Sequence, residues 1–147
     1  MIRELALTDT GAAARLHRIA FDHAMPRLVG LYTPAEDRWF YREHVFAMCR
    51  VWGRFDGDEL SGLIAFHDGW IEQLYVLPAV HGRGVGTELL GIAKGACKRL
   101  ELWTFQRNAR ARRFYEARGF TPVEKTDGTR NEEREPDVRY LWTRAGR

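Results

Sequence analysis

At 147 residues the chain has the size of one domain, long enough to bury a core without disulfides or a structural metal. Hydrophobic residues at 45%, charged residues at 29%, and five Trp with eight Phe exclude a disordered chain. A formal net charge of +3 suits an anionic ligand without demanding one. The two cysteines, Cys49 and Cys97, lack the spacing of a disulfide framework, a metal site or a redox pair.

The cysteine usage fits a reducing cytoplasm. "MIRELALTDT" carries acids and lacks the uninterrupted apolar core of a signal peptide, and no segment reaches the roughly 18 apolar residues of a membrane span. A single domain over residues 1–147, cytoplasmic and without membrane contact, is expected. Alternation in "IRELAL" predicts an opening strand. "TDTGAAARLHRIAF" then predicts a helix with Ala12, Leu16, Ile19 and Ala20 on one face and Thr8 or Asp9 as its cap. In "GLYTPAEDRWFYREHVF", Thr33, Pro34 and Glu36 match a capping box with proline at the first helical position, which predicts a second helix from about Pro34 to Ala47.

"CRVWGRFD" and "LSGLIAFHD" flank the turn "GDE", and "GWIEQLYVLP" follows a turn at Asp68 and Gly69, so three strands form an antiparallel meander. From Gly84 onward Val85, Leu89, Ile92, Ala93, Ala96 and Leu100 follow helical spacing, with Cys97 on that helix. A short strand "LELWTF" comes next. The helix of "NARARRFYEARGF" has Asn108 as cap and Gly119 as stop, and strands in "FTPVEKT" and "VRYLWT" close the chain. Between the last two lies the polar stretch "DGTRNEEREPD".

The stretch "HGRGVGTELL" sits where a strand turns into a helix. Unpaired NH groups and the helix dipole make that position favourable for anions, and Gly82, Gly84 and Gly86 remove side chains that would keep a phosphate away. Arg83 adds charge and Thr87 a hydroxyl. No Walker lysine follows, and Thr87 stands where a dinucleotide fingerprint needs its third glycine. Alternatively, the glycines simply let helix and strand pack closely.

"LYVLPAVHGRGVGTELL" followed by "NARARRFYEARGF" resembles the GCN5-related N-acetyltransferase (GNAT) superfamily. Its signature is glutamine or arginine, two residues, glycine, one residue, glycine or alanine; His81, Gly84 and Gly86 occupy those positions, with histidine departing from the pattern. The resemblance implies an α/β (α+β) fold, a central mixed, mostly antiparallel twisted sheet of about seven strands flanked by about four helices. It also implies acetyl-CoA as co-substrate without a metal, and transfer of acetyl to a primary amine of a small molecule or peptide by direct attack in a ternary complex.

Carried over residue by residue, the resemblance places Leu74, Tyr75 and Val76 beside the pantetheine arm, on a strand that a bulge and divergence from "LELWTF" open for the thioester. The backbone from His81 through Gly82, Arg83, Gly84, Val85, Gly86 and Thr87 lies against the pyrophosphate. Asn108 meets the cofactor arm, and Tyr115, which spacing alone makes a core aromatic beside Phe114, protonates the departing thiolate. Glu72 alternates onto the strand face of Leu74 and Val76, where it is either the base or an ordinary carboxylate at a strand start. His81, His67 and His44 rank below it as bases. The acceptor is bordered by "HAMPRLVGLYTPAEDRWF" and "DGTRNEEREPD"; the acids of the second are either a field for a cationic amine or a solvated loop, and Asp37, Trp39 and Phe40 line the cleft or belong to helix surface and core.

The alternatives are a non-catalytic acyl-CoA sensor or interaction protein on the same fold and, ranked last, nucleic-acid binding through Arg107, Arg110, Arg112, Arg113 and Arg118, for which no RNA-binding motif is present. A homodimer is left open, since no feature of the sequence specifies an interface.

Overall fold

Seven strands form one sheet in the computed structural model, which describes residues 1–145. They are β1 (Ile2–Glu4), β2 (Arg50–Asp56), β3 (Glu59–His67), β4 (Trp70–Val76), β5 (Arg99–Phe105), β6 (Thr121–Lys125) and β7 (Asp137–Thr143), in the order β1-β2-β3-β4-β5-β7-β6. All neighbours run antiparallel except β4 and β5, which are parallel. Helices α1 (Thr10–Ala24), α2 (Pro34–Phe40), α3 (Val85–Ala96) and α4 (Ala109–Glu116) accompany the sheet, giving the expected mixed architecture. No helix among the described residues is long and apolar enough to cross a membrane.

Alternation along β3 divides the core in two. Ile64 and Phe66 pack with Val85, Leu89 and Ala93 of α3 and with Tyr115 of α4. Leu63 and Ala65 pack with Ala13 and Leu16 of α1 and with Tyr41. The helices therefore cover opposite faces of the sheet.

Several boundaries differ from the sequence reading for local reasons. The first strand stops at Glu4, because the Asp9 carboxylate accepts from the Ala6 NH and pairs with Arg3, bracing a 3₁₀ turn at Leu7–Asp9. Neither Thr8 nor Asp9 therefore caps α1 through its side chain. The buried face of α1 is the helical i, i+3, i+4, i+7 stripe of Ala13, Leu16, His17 and Ala20 together with Ala14, and Ile19 lies outside it at 46% exposure.

The capping box of α2 forms as read, with Thr33 Oγ1 accepting from the Glu36 NH and the Glu36 carboxylate from the Thr33 NH. The helix then widens into a π turn at Tyr41–Val45 and ends with Phe46–Met48. Helix α3 stops at Ala96; Cys97 is already extended and Leu100 belongs to β5.

Two irregularities of β4 prepare the site. It shares only one residue pair with β5, Trp70 with Glu101, and the two strands separate beyond it. Against β3, Ala65 pairs with Gln73 and Phe66 with Ile71, so Glu72 is the extra residue of a β-bulge.

Candidate active site

The glycine run leaves β4 through a 3₁₀ turn at Pro78–Val80 and enters α3 with Gly84 as its N-terminal cap. Gly82 and Gly84 have φ of +80° and +81°, where a side chain is strained, and a Cβ built at either meets nothing within 4 Å. Neither NH donates a backbone hydrogen bond and both glycines line a cavity at a helix start, the arrangement that accepts anions. Gly86 serves packing instead, since a Cβ there comes within 3.0 Å of the Phe114 ring. Both readings of the run hold, at different glycines.

Helix α4 is tied to this loop. Asn108 caps α4 by accepting from the Ala111 NH at 3.2 Å. Arg118 lies 3.9 Å over the Phe114 ring and donates to Thr87 Oγ1 at 2.9 Å, while its other arm reaches the Phe114 carbonyl. A cavity of about 640 Å³ lies between them, walled by Leu74–Val76 of β4, by the loop and by the start of α4. Arg107, Arg110 and Arg118 face it. Arg112 instead donates to Tyr140 Oη, Arg113 is exposed, and the exposed Arg83 side chain lies outside the wall.

His81 shares that wall, but its Nε2 donates to the Val76 carbonyl at 3.1 Å, fastening the loop to the strand. Burial, followed by the charge of Arg110, lowers its pKa and favours the neutral ring.

A second, smaller cavity of about 110 Å³ occupies the split between β4 and β5. Phe21 of α1 and Met25 just after it close one side, Leu102 and Phe105 of β5 another, and Glu72 and Gln73 lie along β4. Leu74, Tyr75, Asn108 and Tyr115 line both cavities, so the two meet there.

Tyr115 is 7% exposed, and its hydroxyl has no hydrogen-bond partner among the described residues. Burial, with Tyr75 adding to it, pushes the phenol above its ordinary range and keeps it protonated. Tyr41 is wholly buried but committed: its hydroxyl lies 2.7 Å from His17 Nδ1. Burial holds His17 neutral, with its pKa lowered to about 4.

The bulge corrects the reading of Glu72. Ile71, Leu74 and Val76 all pack into the α3 and α4 core, so strict alternation is broken between them, and Glu72 does not share their face. Its carboxylate accepts from His67 Nε2 at 2.8 Å, and this bond is the main cause raising the His67 pKa. The Cys49 thiol is pushed up to about 11, first by burial and then by Glu72.

Sequence reasoning ranks His67 below Glu72 without connecting them. The signal is the two-residue Asp68-Gly69 hairpin, which sets His67 opposite Trp70 and brings Glu72, two residues on, within diagonal reach.

The loop "DGTRNEEREPD" is not merely solvated. The Tyr32 hydroxyl donates to Glu132 and Glu133, joining this loop to the one between α1 and α2. Glu135 is buried and pairs with Arg107 at 3.3 Å. Asp37 is also buried, held by two 2.8 Å bonds from Arg18, whereas Trp39 is exposed and packs edge-on against His44.

A sequence model described as the acetyltransferase (GNAT) family matches residues 7–120. No curated protein matches the chain by sequence. Among solved structures, the apo form of YjaB from Escherichia coli is similar at 19% identity over 99% of this chain and 98% of that one, with a TM-score of 0.81. The PaiA N-acetyltransferase of Thermoplasma acidophilum, in complex with coenzyme A, is similar at 20% identity over 97% and 98%, with a TM-score of 0.70. YncA from Salmonella typhimurium with its cofactor acetyl-CoA is similar at 17% identity over 100% and 95%, with a TM-score of 0.72. At such identities the likeness is one of fold.

Proposed function

This chain belongs to the acetyltransferase (GNAT) family, and from that premise we propose that it is an acetyl-CoA-dependent N-acetyltransferase acting on a primary amine of a small molecule or peptide. The observation carrying this reading is the meeting of the two cavities at Leu74, Tyr75, Asn108 and Tyr115: one is larger and bordered by backbone and arginine, the other smaller and set where β4 parts from β5.

The residues of the larger cavity fit coenzyme A. The β4 backbone beside Leu74, Tyr75 and Val76 pairs with the amides of the pantetheine arm, as an added strand would. The amides of Gly82 to Thr87 hold the pyrophosphate, and Arg110 and Arg118 attract the remaining phosphate charge. Asn108 borders the arm while capping α4.

The amine enters through the smaller cavity. Glu72 removes a proton from the ammonium, and the free amine attacks the thioester carbonyl directly. As the tetrahedral adduct collapses, the carbon–sulfur bond breaks, Tyr115 donates its phenolic proton to the departing thiolate, and the second proton of the attacking nitrogen, acidic in the adduct, returns to the Tyr115 oxygen. A phenol kept protonated by burial, with no competing partner, suits that task. Holding both substrates at the junction supplies much of the rate.

The test is a screen of primary amines and short peptides for release of free coenzyme A thiol, with 2-phenylethylamine included because an apolar body suits the walls at Phe21, Met25 and Phe105. Acceptor-dependent thiol release with a matching N-acetyl product is expected. Acetyl-CoA binding without turnover across the screen contradicts the transferase reading.

A further inference from the structure

The transfer reaction above uses Glu72 but gives no part to His67, the side chain bonded to its carboxylate. The bulge places Glu72 at the smaller cavity, where its side chain is 43% exposed, and the end of β3 places His67 behind it with Nε2 2.8 Å from one carboxylate oxygen. The Nδ1 side of the same ring faces outward, 3.5 Å from the carboxylate of Asp68, which is 95% exposed. One route therefore runs from the cavity through a carboxylate and an imidazole to bulk water.

We infer that His67 is the positioning residue of the acceptor half-site: it fixes the Glu72 carboxylate toward the incoming amine and carries the amine's proton out to solvent beside Asp68. The inference rests on the proposed transferase reading, within which Glu72 is the base.

Two physical needs support it. An exposed glutamate on a strand loses rotamer freedom when it is held in one pose, and the bond from His67 holds it. A base inside a cleft must also be restored after each turnover. The ammonium gives its proton to Glu72. With Glu72 now neutral, the uncharged His67 ring shifts its own proton from Nε2 to Nδ1 through water, which frees Nε2 to accept. Nε2 then takes the proton from the Glu72 carboxyl, restoring the carboxylate, and the imidazolium so formed releases its Nδ1 proton to water, leaving Nε2–H on the carboxylate as at the start. One proton of the amine thus reaches water, and the other, lost from the adduct, ends on the coenzyme A thiol.

The groups facing this pair are Asp68 in the turn and Cys49 at the start of β2. The Cys49 thiol, pushed up to about 11, stays protonated while the pair cycles. His67 lies outside both cavity walls, so its replacement leaves the coenzyme A wall intact.

The experiment uses the full chain with acetyl-CoA and 2-phenylethylamine as the probe acceptor, comparing wild type, His67→Gln and His67→Ala across pH. Imidazole NMR gives the midpoint of His67, and calorimetry with acetyl-CoA checks that each variant is folded and binds.

In wild type, kcat is expected to rise through an inflection at the His67 midpoint, and Glu72→Gln is expected to lower that midpoint. His67→Gln should reduce kcat about 10- to 100-fold and abolish the inflection, with the KM for acetyl-CoA unchanged. Free imidazole should restore part of the turnover of His67→Ala.

An inflection surviving in His67→Gln, or a kcat within twofold of wild type, overturns the inference while leaving the transferase reading standing. A wild type that turns over neither this probe nor any amine in the screen overturns both.

Discussion

The two cavities that meet at Tyr115 are made of different materials. The larger is bordered by strand backbone, by two glycines at positive φ and by arginine side chains, while the smaller is shaped by Phe21, Met25, Leu102, Phe105 and the bulged Glu72. Backbone amides recognise a phosphate or an amide wherever it is presented, so such a wall fails when the backbone is strained or filled. A wall of side chains fails when chemistry or shape changes. Substitutions on the two sides should therefore separate binding of acetyl-CoA from transfer to the amine.

The largest effect belongs to the junction. Tyr115→Phe removes one hydroxyl without leaving a buried partner unpaired, and is expected to lower kcat by about 100- to 1000-fold. The Kd for acetyl-CoA should stay within twofold, as measured by stopped-assay turnover alongside calorimetry. An unchanged kcat at every pH removes Tyr115 as the acid.

Acid should distinguish the faces of the sheet as well. His17, beneath Tyr41 and Tyr75, is held neutral to about pH 4, whereas the unfolded chain protonates it below 6.5. The unfolded state thus binds more protons throughout that window. The stabilisation is complete above pH 6.5 and is lost as pH falls toward 4, by up to about 3 kcal/mol at 1.36 kcal/mol per pH unit. Denaturant titrations should show this slope in wild type and a flatter one in His17→Phe. Hydrogen exchange should show α1 loosening before α3. Equal slopes in the two proteins contradict the assignment.

These regions were unequally legible in the sequence. The Thr33–Glu36 box, the Asn108 cap and the Gly119 stop are local patterns, and each forms where it reads. The glycine loop and its partner helix are nearly as local, because each requirement sits on a few consecutive residues.

The acceptor side depends on tertiary events. A bulge changes the phase of β4 after Ile71, so alternation assigned Glu72 to the wrong face, and the β4–β5 split involves residues about thirty positions apart. The burial of His17 in place of Ile19 follows from packing beneath Tyr41, and the link from Tyr32 to Glu132 and Glu133 joins loops that sequence can only list separately.

Smaller effects refine the contrast on the cofactor side. Gly84→Val forces a β-branched residue into a left-handed conformation at about 1–2 kcal/mol and fills the open space above the loop, so acetyl-CoA affinity should fall about tenfold or more. Arg118→Ala removes a partly exposed cation and its bond to Thr87, and should weaken binding about three- to fivefold, less so at high salt. Loss of the difference between low and high salt argues against a phosphate contact there.

The most direct measurement is a calorimetric titration of acetyl-CoA into wild type, Gly84→Val and Glu72→Gln. Saturable one-to-one binding is predicted for wild type, weakened about tenfold by Gly84→Val and unchanged by Glu72→Gln. No binding to the folded wild type, or binding that Glu72→Gln weakens while Gly84→Val leaves it untouched, contradicts the placement of the co-substrate on the glycine loop.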